Sequence, residues 1–297
     1  DGGEPDAALL GVRARCEHGR VLALVGRVAH VLVGVLHLGV AGAALATVFS
    51  QIVSVVLTFA MLRKTLKISK DERPLWWPHF CAEHMSQMIR LGFPLALQAM
   101  LFPIANSIVQ AGVNTMGTDQ IAAWGICDKL NMLIWLMSDS MGPALTTFVA
   151  QNLGAKNPER IRKGIAVGTS MSVGAVALIS VGLFFFARIL TPLFVSSQDA
   201  ASLGVLVGTY SRMMAPFFFF YAIAEALSGA CCGTGDTVRP MITTLLAICL
   251  LRVIGILAVL PIYGTMECIV VIYIASWIAA GVSFLALWRF DVAHIYK

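Results

Sequence analysis

Asp128, Trp135 and Asp139 are the residues whose types and spacing first invite a chemical reading. Eleven residues at 100° each bring the two acids to within about 20° of one another on a helix. Trp135 and Met132 fall on the same stripe. Two carboxylates, an aromatic ring and a thioether suit a lipophilic cation, through charge, cation–π attraction and adaptable packing. The competing reading places Asp128 and Lys129 at a solvated helix end and makes Trp135 a packing residue. Asp139, in mid-helix, fits that second reading less well than Asp128 does.

Gln98, Asn106, Gln110 and Asn114 form another row, with Phe102 completing its spacing. A polar row of this kind faces a water-filled cavity or bonds to a neighbouring helix, because facing hydrocarbon is costly. Pro94 and Pro103 are placed to bend this helix. Tyr210, Met214, Phe217, Tyr221 and Glu225 make a third row. Such a stripe usually packs, but Glu225 adds a cation or proton site, unless its nearness to the turn at Gly233 leaves it solvated. Arg252 reads as the partner of Glu225 or as a snorkelling side chain. Arg212 reads as nearer the outer end.

Catalytic chemistry finds little support. The seven cysteines show no C-x-x-C and no paired spacing, and the histidines show no H-E-x-x-H. Neither a disulfide framework nor a metal centre is read from them. Gly233–Thr237 (GTGDT) lacks the Gly-Lys-Ser/Thr end of a phosphate loop and a strand before it. Asp236 is better placed to cap a helix before Pro240. No nucleophile–base or paired-acid arrangement can be argued. The chain reads as a non-enzyme without a cofactor, with Na⁺ at Asp139 or Glu225 as the one metal-ion option.

The elements that position these residues follow from composition. Of 297 residues, 58% are hydrophobic and 12% charged, and the mean hydropathy is +0.83. A soluble domain carries about a quarter charged residues, so the surroundings are lipid. The net charge of +5 sits between apolar runs without interleaved aromatics, which argues against nucleic acid. A spanning helix needs about 20 apolar residues. Seven segments reach this: 39–62, 89–114, 119–151, 164–188, 203–230, 241–262 and 267–288. An eighth, 21–36, is interrupted by Arg27 and His30. The expected fold is all-α, with seven to eight transmembrane helices. Lys and Arg concentrate in alternate loops, first Arg63–Arg73 and then Lys156–Lys163, which places those loops and the C-terminus on the cytoplasmic side of the inner membrane. Gly154 then ends one helix, Pro158 starts the next, and the basic cluster anchors the turn.

Ala122–Gly164, with AAWGICDKLN and TTFVAQNLGAKNPERIRKG, resembles the MATE family, the multidrug and toxic compound extrusion transporters. So do Ala226–Met241 (ALSGACCGTGDTVRPM), Arg90–Gln98 (RLGFPLALQ) and His37–Gln51 (HLGVAGAALATVFSQ), in order and at family-like spacing. The resemblance implies two six-helix lobes that export organic cations in exchange for Na⁺ or H⁺. It makes residues 35–63 the last helix of the first lobe, 64–88 a cytoplasmic linker, 89–290 the second lobe and 291–297 a tail. An echo between the segments around Gly39 and Gly264 implies roughly 140 further residues of a first lobe. Residues 1–34 depart from the family's fifth helix. Arg13, Arg15, Arg20 and Arg27 make them read as a frameshifted segment, or as a divergent helix with Arg27 facing the cavity. Where NorM-type members carry a coupling Glu, ten residues after the Gly of Gly-x-Pro, this chain has Phe102. The expected function is a cation-coupled antiporter, its partners the bilayer, small organic cations and the missing lobe. A non-transporting scaffold or nonfunctional remnant is the alternative. A lipid-precursor flippase would need a more basic cavity.

Overall fold

A computed structural model describes residues 39–68, 82–196 and 199–295. The doubtful segment 21–36, the atypical residues 1–34 and residues 69–73 of the expected basic loop lie outside them; residues 63–68 of that loop are instead the end of the helix Gly39–Ile68. The described residues are helical, with short turns between helices. They form two compact units, residues 1–80 and 81–297.

The first unit contributes α1 (Gly39–Ile68), whose apolar stretch Val40–Leu57 is long enough to cross a bilayer. The second contributes α2 (Ala82–Val113), α3 (Thr118–Gly154), α4 (Pro158–Leu190), α5 (Ala200–Met214) and α6 (Phe218–Gly233). A composite helix α7 (Val238–Tyr263) and a final helix α8 (Met266–Ile295) complete it. α5 and α6 are one span with a tight turn at Ala215–Phe217, where Pro216 removes a backbone donor. α7 alternates α-helical stretches with two wide π-helical ones, Leu245–Leu250 and Gly255–Val259.

Six described spans are long and apolar enough for a membrane. α3 is longer than any of them but too polar to qualify, since Asp128, Lys129, Asn131 and Asp139 interrupt its apolar residues. It packs against α4, α5 and α6 within the same unit. Helices also outrun the apolar segments expected from sequence. Their ends carry Glu83, Glu159 and Arg289, which belong at an interface.

Local sequence explains the ends. Asn157 caps α4: its side-chain oxygen accepts from the Arg160 amide at 3.1 Å, and Pro158 fills the first helical position. Asp236 accepts from the Arg239 amide at 3.2 Å and pairs with its guanidinium at 3.1 Å, although the N-cap position is Thr237, one residue later than the sequence suggests. Gly264 ends α7 with φ +60°, a left-handed conformation that suits glycine. Asn157→Ala is expected to cost about 1 kcal/mol, read as a small drop in the melting temperature of the detergent-solubilised protein. No change would mean the cap is replaced by water.

Packing runs through small residues. A Cβ at Gly229 would overlap the Gly142 carbonyl oxygen and lie 2.7 Å from its carbon and Cα. A Cβ at Gly233 would lie 2.7 Å from the Thr146 carbonyl oxygen. The Thr146 hydroxyl lies 2.8 Å from the Gly229 carbonyl oxygen and 3.0 Å from that of Gly142. The spacing Gly229-x-x-x-Gly233 therefore lets α6 lie directly on α3. Gly164 and Gly168 on α4 repeat the device beneath Phe148 and Leu145 of α3. Two apolar clusters fill the interior, one around Trp277, Phe218 and Ile134, the other around Val149, Ile165 and Phe284. Leu178, Phe185 and Ile189 of α4 point outward, as lipid-facing residues do.

Candidate functional site

A cavity of about 340 Å³ opens inside the second unit, between α2, α3, α6, α7 and α8, with the end of α5 at its edge. α3 supplies Asp128, Asn131, Trp135 and Asp139, one residue per turn along its inner face. The stripe inferred from sequence is therefore the cavity wall, except at its edge: Met132 is 62% exposed and points away. Asp128 is ten residues inside α3, so it is not at a helix end.

Asp139 accepts a hydrogen bond from the Tyr221 hydroxyl at 3.1 Å. That hydroxyl also reaches the Glu225 carboxylate, one turn further along α6. Tyr221 thus stands between two acids. Glu225 is half-buried beside Gly142 and does not line the cavity. Pro143 has no N–H, so the Asp139 carbonyl lacks its usual intrahelical donor. The carboxylate and carbonyl of one residue are both available as acceptors.

Rings surround the acids. Trp135 meets Tyr221 edge-on at 4.7 Å, Trp277 at 5.8 Å and Phe218 at 6.0 Å. Tyr273 lies 5.2 Å from Trp124 and 5.9 Å from Trp277. Such a box suits a flat or cationic organic molecule.

Arg252 corrects the sequence-based expectation. It neither pairs with Glu225 nor snorkels. Its Nε–H donates to Ser276 Oγ at 3.0 Å and Nη1–H to Asn106 Oδ1 at 2.9 Å. Its guanidinium carbon sits 4.0 Å from the Tyr273 ring centre, and the residue is 2% exposed. Pairing failed because α7 faces α2 and α8 at this level, while Glu225 turns toward α3.

The polar row on α2 also divides. Phe102 and Asn106 line the cavity. Gln98 does not, and its Oε1 is buried without a partner among the described residues. Gln110 bonds to Asn114 at 3.0 Å on an exposed face. The row on α5 and α6 is split by the turn at Ala215–Phe217. Met214 and Tyr221 reach the cavity, whereas Tyr210 is buried and donates to Gln120. Asn131, Tyr273 and Trp277 went unnoticed in the sequence. Asn131 sits a turn before Trp135 and could have been found. The other two lie in an uninterrupted apolar run with no polar spacing to mark them. Among the described residues, no three His, Cys, Asp or Glu side chains gather as a metal site.

The model of the MatE family matches residues 94–257, more than half of the chain. The chain belongs to the MATE family. It is 25% identical over 75% of its length to "Probable multidrug resistance protein YpnP" of Bacillus subtilis, covering 49% of that relative. It is 27% identical over 71% of its length to "Probable multidrug resistance protein NorM" of Thermotoga maritima, covering 44% of it. The chain thus spans about half the length of these MATE relatives. Its fold matches that of a MOP superfamily transporter from Pyrococcus furiosus with TM-score 0.79 at 18% identity, over 93% of this chain and 62% of that one. A multi-pass, helical membrane protein of the MATE family is therefore the frame for the cavity.

Proposed function

We propose that this chain carries the second lobe of a cation-coupled MATE antiporter that exports small organic cations across the inner membrane. The observation that carries this reading is the Asp139–Tyr221 hydrogen bond on the wall of an aromatic cavity. Asp139 gives the charged pole, and the part-exposed Trp135 and Tyr273 give faces for the organic body. A coupling Na⁺ takes oxygen ligands, and the Asp139 carboxylate, its freed carbonyl and the Tyr221 hydroxyl are oxygens of that kind. A proton would use the carboxylate alone. Phe102, at the position of the NorM-type coupling Glu, moves the coupling role toward Asp139 and Glu225. A scaffold or remnant has no use for a polar cavity inside lipid, because each acid at membrane depth costs stability. A lipid-precursor flippase fits less well, since two carboxylates and one guanidinium line this cavity.

The test is Asp139→Asn, which keeps the shape and the contact with Tyr221 but removes the charge. In a drug-sensitive host expressing the protein, ethidium efflux is expected to fall at least about tenfold, in line with a lost charged contact. Membrane abundance should not change. Unaltered efflux would sink the role of Asp139.

Orientation is part of the same reading, with the basic loops cytoplasmic. A reporter cysteine replacing Lys67 should resist a membrane-impermeant maleimide in intact cells and react after lysis. Labelling in intact cells would invert the topology.

A further inference from the structure

Arg252 is the charged residue of the cavity for which a cation site has no use. Two of its five N–H groups are taken, by Ser276 Oγ at 3.0 Å and Asn106 Oδ1 at 2.9 Å. Both acceptors are neutral. Among the described residues no partner is recorded for Nη2, and no carboxylate comes within ion-pair distance of the guanidinium. A buried charge without a counter-ion is costly. Two acids line the same cavity, yet the fold holds the arginine apart from both. Asn106, Ser276 and the Tyr273 face at 4.0 Å fix its position.

The backbone gives a second observation. Arg252 lies on a four-residue α-helical stretch, Leu251–Ile254, between two π-helical stretches. Wide turns are rare, and where they occur they are frequent at functional sites. One before and one after Arg252 set the direction in which its side chain leaves α7. Gly255, at the second, lies so close to Ile272 that a Cβ would meet that side chain at 2.8 Å.

We propose that Arg252 is an anion-recognising site in this cavity, taking the acidic group (carboxylate, sulfonate or phosphate) of an aromatic ligand whose rings lie against the part-exposed Tyr273 and Trp135. Arginine presents planar, forked donors that match such oxyanions. The cavity then has two poles, one at Asp139 and one at Arg252, and its cargo range extends beyond organic cations. This rests on reading the cavity as the cargo site.

The experiment measures equilibrium dialysis of three naphthalene probes against the purified chain in detergent at neutral pH. They are naphthalene-2-sulfonate, 2-naphthol and (2-naphthylmethyl)trimethylammonium. The unsubstituted chain is expected to bind the sulfonate at least about tenfold tighter than the neutral naphthol, as a charge-assisted hydrogen bond implies. Arg252→Gln should abolish that preference and leave the ammonium probe no weaker, whereas Arg252→Lys should keep part of it. Asp139→Asn should weaken the ammonium probe. A sulfonate bound no tighter than naphthol overturns the proposal without any variant. Equal weakening of all three probes by Arg252→Gln also overturns it, leaving a clamp between α2, α7 and α8. If the ammonium probe depends on Asp139 but the sulfonate shows no preference, the anion site fails and the cation reading stands. The reverse pattern keeps the anion site and removes the cation reading.

Discussion

Gly229→Ala is expected to lower the melting temperature of the solubilised protein by roughly 6–12 °C, whereas Gly142→Ala, across the same crossing, lowers it little or raises it. A Cβ on Gly229 would run into the carbonyl group of Gly142, and backbone cannot rotate away as a side chain can. α6 must lift off α3, which breaks the Thr146 contact at 2.8 Å and opens the wall that carries Asp139. Overpacking of a core costs about 1–3 kcal/mol. A backbone obstacle belongs at the upper end, and each kcal/mol moves the midpoint of a domain this size by about 2–4 °C. Gly142 differs because its own Cβ would sit 3.5 Å from the Glu225 carbonyl oxygen, an ordinary contact. Alanine there also gains about 0.5–1 kcal/mol of helix preference. Thermal unfolding of the two variants side by side decides the matter. Equal destabilisation would mean that the crossing is looser than drawn.

Trp277→Ala should be as damaging, at about 3–5 kcal/mol, the usual cost of emptying a fully buried aromatic site. Trp277 has no exposed surface and touches Trp135, Phe218, Tyr221 and Tyr273. Its loss leaves a void behind the cavity and frees the rings that face cargo. Trp277→Phe should cost far less. The indole Nε1 has no hydrogen-bond partner among the described residues, so phenylalanine removes packing area and no bond. Melting curves of the two variants in detergent test this. A phenylalanine variant as unstable as the alanine one would reveal a bond to the indole that matters.

Helix positions were legible because apolar runs of about 20 residues have few other uses. The α3 stripe was legible too, since Asp128, Trp135 and Asp139 repeat at helical spacing in an otherwise apolar segment. What stayed hidden depends on partners. Periodicity gives the side of a helix on which Glu225 lies, but not that Gly142 and Tyr221 meet it there. Arg252 is a lone basic residue in a run of Leu and Ile. Its bonds to Asn106 and Ser276 join positions 146 and 24 residues away, and no local rule links them. The glycines at 229 and 233 carry a known close-packing spacing, yet only the crossing with α3 shows which backbone they admit.

The polarity of α3 has a consequence for how the protein is made. Among the described long helices of the second unit it is the one that falls short of a free-standing membrane segment. As it leaves the ribosome, Asp128, Lys129 and Asp139 oppose its lone partition into lipid, at about 2.5–3.5 kcal/mol for a charge near the bilayer centre. α4, which follows it, is strongly apolar and meets it through Gly164 and Gly168. α3 is therefore expected to enter the bilayer as a hairpin with α4, so that α3 with α4 deleted should integrate less efficiently than the pair in a membrane-insertion assay. The charged groups that make the cavity useful thus also set the order in which the lobe is assembled.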